Sequence, residues 1–164
     1  MAVATPAVLG LCLALEAALG GPGVAASAAA AERRPGDGVV FVALQRFTLA
    51  WTHSIEKTRW EEDYAVRLRD GRPALALLRA RVRGSGAGME PPAGAVWRDG
   101  WYEFVPAAAG GRSDGDAPLR LTRSPYTADY EVCTDGRCGP LGDWLRSDGG
   151  VTRMWACRST DERR

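Results

Sequence analysis

The sequence has one histidine and almost no net charge, and each shortage excludes a class of function. Its 21 lysines and arginines are balanced by 20 aspartates and glutamates, which argues against a nucleic-acid partner. His53 is the single histidine, and Cys133 and Cys138 with a distant Cys157 have neither the usual spacing nor the second histidine of a zinc site. No nucleotide or nucleophile motif is complete, so we predict neither a cofactor nor a metal.

The chain also lacks an apolar run long enough to cross a bilayer as a helix. Glu16 interrupts the apolar residues 7–19, whereas a spanning helix needs about 20 apolar residues. The run precedes a small-residue tract at 25–31, a pattern typical of a secretory signal. We predict a signal segment over residues 1–31, cleaved at its end, and an exported protein of the periplasm or cell envelope that touches the membrane only if the leader stays. The alternative is an Ala/Gly-rich leader without structural meaning.

Removal of that segment would leave a short linker at 32–38 and a single β-rich domain at 39–164, a length sufficient for one core. Cys12 would be removed with the signal segment, and an exported protein with the three remaining cysteines has one disulfide and a spare thiol, or a link to another chain. Cys133 and Cys138 flank a hairpin-turn signal, Asp-Gly, so we predict that they form the disulfide. The alternative pairs Cys138 with Cys157.

Alternation with a period of two dominates this domain, and almost no segment has helical periodicity. Turn signals such as the Asp-Gly-Arg-Pro at 70–73 separate the alternating runs. Many short strands between turns predict a small antiparallel β-sandwich or barrel with at most one short helix. The predicted strands are 39–52, 60–69, 74–83, 97–105 (as one strand or two), 119–123, 129–133 and 151–157; the helical turn is 141–145, and surface loops are 84–92 and 107–118.

Residues 51–64 hold the densest chemistry in the chain. They contain the histidine and two of the six tryptophans, together with acidic, basic and hydroxyl groups. Such a loop between two tryptophans is suited to recognise a small anionic ligand or a partner protein. The glycine-rich segment 84–92 is either a flap over it or a plain connection. The predicted binding patch is His53, Ser54, Glu56, Lys57, Arg59, Trp60, Glu61, Gly86, Gly88 and Met89.

Three other interpretations of this block stay open. In the first, His53 makes a hydrogen bond that pins the following turn, and Glu56, Lys57 and Arg59 form a solvated charged hairpin. In the second, the protein is a periplasmic hydrolase that uses His53 and a nearby glutamate. His53 and Ser54 would lie on opposite faces of a strand, however, and no nucleophile-elbow pattern surrounds another serine. The third is a metal-dependent enzyme that uses His53 and carboxylates.

The same block carries a resemblance to a known family. Residues 47–64, the Gly-Ala-Gly-Met at 86–89 and the Cys-Gly-Pro-Leu at 138–141 resemble the bacterial family of unknown function DUF1850, and the similarity runs from about residue 40 to the C-terminus. The resemblance implies a small exported protein encoded beside tripartite ATP-independent periplasmic (TRAP) transporters of the TAXI type, and it implies no catalytic residues. We therefore expect a non-catalytic accessory or binding protein whose partner is a TRAP/TAXI transporter subunit or its solute-binding protein.

Overall fold

The computed structural model of the chain describes residues 7–20, 38–84, 94–105 and 117–159. In these ranges the protein is built from short strands joined by turns, and none of its helices is long and apolar enough to cross a membrane. Two 3-10 turns cover Ala17–Leu19 and Leu141–Asp143. The strands are β1 (Leu9–Leu15), β2 (Val39–Val42), β3 (Arg46–Thr52), β4 (Arg59–Arg69), β5 (Arg72–Arg83), β6 (Val96–Arg98), β7 (Trp101–Phe104), β8 (Leu119–Thr122), β9 (Glu131–Thr134), β10 (Arg137–Pro140) and β11 (Val151–Arg158).

These strands form two antiparallel sheets, as the alternating sequence predicts. The smaller sheet has the order β2-β1-β11-β8, and the larger has the order β10-β9-β3-β4-β5-β7-β6. The main core contains buried side chains from both sheets, including Leu13 and Met154 from the smaller one and Phe47, Leu49 and Tyr64 from the larger one. The prediction of a mainly β, sandwich-like fold is therefore confirmed.

Three hairpins of the larger sheet turn on an Asp-Gly pair with both residues at positive φ. The pairs are Asp70-Gly71, Asp99-Gly100 and Asp135-Gly136, with φ values of 49° and 76°, 50° and 83°, and 50° and 75°. Two-residue turns of this kind match the right-handed twist of the strands they join. The segment around Asp99 and Gly100 is therefore two short strands rather than one.

The predicted strand over residues 39–52 is wrong in one respect, because the chain leaves one sheet and enters the other within it. β2 ends at Val42 and pairs with β1, whereas β3 begins at Arg46 and pairs with β4. The connection at 43–45 contains no glycine or proline, so the sequence gives no turn signal there. The crossing places β3 where its inward side chains, Phe47 and Leu49, complete the main core.

The segment predicted as a leader contributes a strand to the smaller sheet. β1 pairs with β11 on one side and with β2 on the other. The predicted domain boundary at residue 39 thus leaves out a strand that the fold contains, because an apolar run of this length serves a sheet interior as well as a signal. Removal of residues 1–31 stays a prediction, and this pairing argues against it.

Two disulfides join the four cysteines. Cys133 pairs with Cys138 across the hairpin of β9 and β10, which is the pairing predicted first. Cys157 pairs with Cys12 rather than with Cys138. The predicted spare thiol does not exist in this fold, since its partner lies in the segment that was expected to be removed.

Candidate functional site

The connection between β3 and β4, called here the β3–β4 turn, comprises residues 53–58 and is organised by the single histidine. The backbone N–H of His53 donates to the carbonyl of Thr58 at 2.8 Å, and the N–H of Lys57 donates to the carbonyl of His53 at 3.0 Å. The ring atom Nδ1 of His53 accepts a hydrogen bond from the backbone N–H of Glu56 at 3.3 Å. The interpretation in which His53 pins the turn is thus what the geometry shows. Because β3 ends at Thr52, the expectation that His53 and Ser54 lie on opposite faces of a strand does not apply.

A row of four aromatic rings leads from this turn into the interior. His53 lies 6.3 Å from Trp60, measured between ring centroids, and Trp60 stacks on Trp51 at 5.9 Å. Trp51 in turn lies 6.0 Å from Tyr130. Trp51 and Trp60 are direct cross-strand partners, and Trp51 packs against the main core. This aromatic row gives the turn a half-buried wall.

Three polar atoms at this end of β4 are buried without a hydrogen-bond partner. They are Oε2 of Glu56, Oγ1 of Thr58 and Nε1 of Trp60. A buried polar group without a partner costs roughly 1–3 kcal/mol, and proteins satisfy most such groups. The group comprises a carboxylate acceptor, an indole donor and a hydroxyl that can do either, and because all three atoms are buried, a molecule outside the chain can reach them only after the turn opens.

The predicted patch splits between the two faces of β4. Arg59 and Glu61 alternate with Trp60 and therefore lie on the outer face of the larger sheet. There Nε of Arg59 donates to Glu61 at 2.7 Å, and the same guanidinium pairs with Glu131 at 2.6 Å. The Glu61 and Glu131 hydrogen bonds raise the pKa of Arg59 against the effect of burial, with the Glu61 bond the largest contribution. These two residues serve the sheet surface and not the turn.

Their ion pairs extend across four strands of that outer face. Glu61 also binds Arg81 of β5, and Arg79 bridges Asp63 of β4, at 2.7 Å, to Glu103 of β7, at 3.3 Å. Arg81 lies 4.5 Å from the ring centroid of Trp101. Acids and bases compensate one another here, so this face offers no unpaired charge to a ligand among the side chains just named.

The remaining predicted residues are exposed or lie beyond the described ranges. Ser54 and Lys57 are exposed at the tip of the turn, and Ile55 is 83% exposed. Glu56 is half-buried, which corrects the idea of a solvated charged hairpin. Gly86, Gly88 and Met89, and with them the candidate flap, lie outside the residues that the structure describes.

A second polar centre, which sequence reasoning missed, holds the other end of the aromatic row. Arg123 is 3% exposed, and its Nε and one terminal nitrogen each donate to Asp129 at 2.7 Å. It also donates to the carbonyl of Leu145 at 2.7 Å. Burial by itself raises the pKa of Asp129, but the hydrogen bond and charge of Arg123 hold it below the ordinary value. The two residues are six apart with no motif around them, so only the fold could reveal the pair.

An open groove of about 510 Å³ lies beside this centre, lined by the Arg123–Asp129 pair and the exposed loop 146–149. Both oxygens of Asp129 already accept backbone N–H groups, from Tyr130 at 2.9 Å and from Gly142 at 2.9 Å. The pair therefore acts as a clamp between β8, β9 and the 141–145 turn. In the described ranges no three side chains of the metal-ligating types lie close enough together to hold an ion.

The comparisons with known proteins identify a family and no characterised relative. The family described as a domain of unknown function, DUF1850, matches residues 47–141. That match begins at Phe47 in β3 and ends at Leu141, so it contains the whole β3–β4 turn, the aromatic row and the Arg123–Asp129 clamp. No curated protein and no solved structure matches the chain. Because the match spans more than half of the sequence, the chain belongs to the DUF1850 family.

Proposed function

We propose that this protein is an exported, non-catalytic accessory or binding protein of a TRAP-type (TAXI) solute uptake system. Its contact site is the end of β4 formed by the β3–β4 turn and the aromatic row. The partner is the solute-binding protein or a transporter subunit of that system.

The observation that carries the proposal is the set of three unpartnered polar atoms on Glu56, Thr58 and Trp60. Each costs free energy in the isolated domain, and a partner that opens the turn and supplies a complementary group for each atom would recover that cost. Half-buried tryptophans beside polar groups are also the composition that marks the centre of many protein interfaces. The site therefore fits recognition better than it fits bond-making chemistry.

The chemistry of His53 supports a binding role over a catalytic one. A general base needs a free ring nitrogen within hydrogen-bond reach of the group that it deprotonates. Nδ1 of His53 accepts the backbone N–H of Glu56, which in the neutral ring places the proton on Nε2 and leaves neither nitrogen free to act as a base. The neighbouring Ser54 is exposed at the tip of the turn. The histidine thus contributes to the shape of the site.

The proposed compartment is supported by the two disulfides, Cys12–Cys157 and Cys133–Cys138. Disulfides form and persist in oxidising surroundings such as the bacterial periplasm, and they are rare in the cytosol. The proposed partner follows from the gene neighbourhood that the family resemblance implies.

The test is capture of a named partner by the full chain. Tagged parent protein and two variants, Thr58→Val and Thr122→Val, are incubated with envelope extract, and the recovered proteins are identified by mass spectrometry. Thr58→Val removes an unpartnered hydroxyl, whereas the matched control, Thr122→Val, changes an exposed threonine of β8. We expect the parent and the control to recover the solute-binding protein or a transporter subunit and Thr58→Val to lose it. Recovery of neither component by the parent would overturn the proposal.

A further inference from the structure

The strand β1 occupies an interior position in the smaller sheet. It lies between β2 and β11, and in the sheet order β2 has β1 as its one neighbour. Leu11, Cys12, Leu13 and Ala14 are each 0% exposed. A sheet without β1 would lose its connection to β2 and would leave the ladder of β11 open on one side. The apolar run that resembles a signal segment is thus a central strand.

Both faces of β1 are packed. Leu11 and Leu13 belong to the main core between the sheets. Cys12 and Ala14 point the other way and join a second cluster on the outer side of the smaller sheet, which includes Trp155. Removal of β1 would open cavities on both sides of the sheet, and the loss of large buried side chains is among the most destabilising changes known for proteins.

The sequence of β1 is also fitted to its neighbour at the position where a side chain would clash. Gly10 lies beneath the ring of Phe41, and a Cβ atom there would come within 2.6 Å of the Phe41 ring carbons. Glycine allows this close approach because it has no Cβ. The smallest residue in β1 thus stands where the neighbouring strand needs the space.

Just beyond β1, a buried ion pair joins this segment to β11. Arg153 is 7% exposed and donates to Glu16 at 2.5 Å, and Arg120 donates to the other oxygen of Glu16 at 2.8 Å. These hydrogen bonds, the one from Arg120 first, lower the pKa of Glu16. In the described part of the chain, Glu16 is the carboxylate that pairs with Arg153. Loss of Glu16 would leave a buried guanidinium without its counter-charge, which is strongly destabilising.

We infer that residues 9–19 stay in the working protein as a structural strand and turn, and that the Cys12–Cys157 disulfide is a redox latch that locks them into the sheet. The latch closes when the two thiols form one S–S bond. Two electrons and two protons pass to a disulfide of an oxidoreductase in the exporting compartment, and that disulfide becomes a dithiol. The inference is independent of the proposed partner, since it concerns which residues form the domain.

The test maps the termini and disulfides of the protein recovered from cells that make it naturally. A non-reduced digest is searched by mass spectrometry for the peptide pair that links Cys12 to Cys157. We expect that linked pair, together with an intact mass that includes residues 9–19. A mature protein that begins beyond residue 20, or a free thiol on Cys157, would overturn the inference.

A pair of variants tests the latch without relying on processing. Cys12→Ser opens a link between residues 145 apart in sequence, whereas Cys133→Ser opens one between residues 5 apart. Closure of a longer loop restrains the unfolded chain more, so Cys12→Ser should lower the thermal midpoint by more than Cys133→Ser does. Equal midpoints for the two variants would show that Cys12–Cys157 does not lock the sheet. A serine at the fully buried Cys12 position costs stability by itself, so if Cys12→Ser does not fold, the comparison is made on Cys133→Ser, which keeps only the Cys12–Cys157 bond. Reduction of that variant should lower its thermal midpoint, and an unchanged midpoint would overturn the latch.

Discussion

The two ends of β4 are closed in different ways. At one end, Asp70 and Gly71 turn the chain into β5 with two residues, both at positive φ, and a side chain added at Gly71 would meet no other atom within 4 Å. At the other end, the β3–β4 turn uses six residues, pins them through His53 and leaves buried polar atoms without partners. The first connection is short and forms without steric conflict. The second is longer and has unsatisfied polar groups that lower the stability of the fold.

This difference separates residues that make the fold from residues that are available for function. Natural sequences place local conflicts, such as unsatisfied buried groups, at functional sites more often than elsewhere. Two-residue turns recur three times in the larger sheet, so the chain had a simple solution for the β3–β4 connection and does not use it. We therefore expect changes at the β3–β4 turn to reduce partner capture, and changes at the Asp70-Gly71 end to reduce stability without affecting capture.

The largest effect is expected at Trp60, where the aromatic row meets the turn. Trp60→Ala removes a half-buried ring that stacks on Trp51, and we expect a loss of roughly 2–4 kcal/mol in the free energy of unfolding. Trp60→Phe retains a six-membered ring and removes the unpartnered N–H together with the rest of the five-membered ring, so it should keep more stability than Trp60→Ala and still lose partner capture. Urea denaturation and the capture assay measure the two effects. Full capture by Trp60→Phe would show that the indole N–H is not part of the contact.

The next effect belongs to the simple end. Gly71 has a φ of +76°, where an L-residue is strained, so Gly71→Ala should cost about 1–2 kcal/mol of stability. Partner capture by the folded variant should equal that of the parent, because the change lies at the opposite end of β4. Reduced capture by this variant, at a temperature where it is fully folded, would remove the functional distinction between the two ends.

A smaller effect, with the opposite sign, is expected at Thr58. Thr58→Val keeps the shape of the side chain and removes a buried hydroxyl that has no partner, so we expect the free energy of unfolding to rise by about 1 kcal/mol. The same variant should lose partner capture. A gain of stability accompanied by a loss of binding is the signature of a group retained for function. A loss of stability would instead show that the hydroxyl is satisfied in solution.

The smallest effect is expected at the exposed tip. Ile55 is 83% exposed, and Leu68, near the simple end, is 52% exposed. Ile55→Ser and Leu68→Ser should each change stability by less than about 0.5 kcal/mol. Ile55→Ser should weaken capture, whereas Leu68→Ser should leave it unchanged. Equal capture by the two variants would place the contact on the walls of the turn and not at its tip.

Local chemistry made much of this fold predictable. The Asp-Gly pairs fix the hairpins because their residues accept positive φ, and alternation identifies β4 and β5 because one face of a sheet is buried. The disulfide of Cys133 and Cys138 follows from the same reasoning, since a hairpin brings its flanks together. In each case the signal lies within a few residues of the structure that it specifies.

The remainder depends on distant parts of the chain. β1 could not be distinguished from a signal segment, because only its pairing with β11 identifies the apolar run as a strand. The connection at 43–45, where the chain passes from the smaller sheet to the larger one, contains no glycine or proline that would predict a turn. The division of the predicted patch was not predicted either, since Arg59 and Glu61 lie on the outer face of β4 while Trp60 lies on the opposite face. The clamp of Arg123 and Asp129 exists only because three elements meet there.

The pairing of β1 with β11 also determines when this domain can fold. The two strands are separated by most of the chain, with their cysteines 145 residues apart, and contacts between such distant segments form slowly during folding. The smaller sheet cannot assemble until β11 has been synthesised. Until then the thiol of Cys12 has no partner, so the disulfide that joins these two strands can form only after nearly the whole chain has been made.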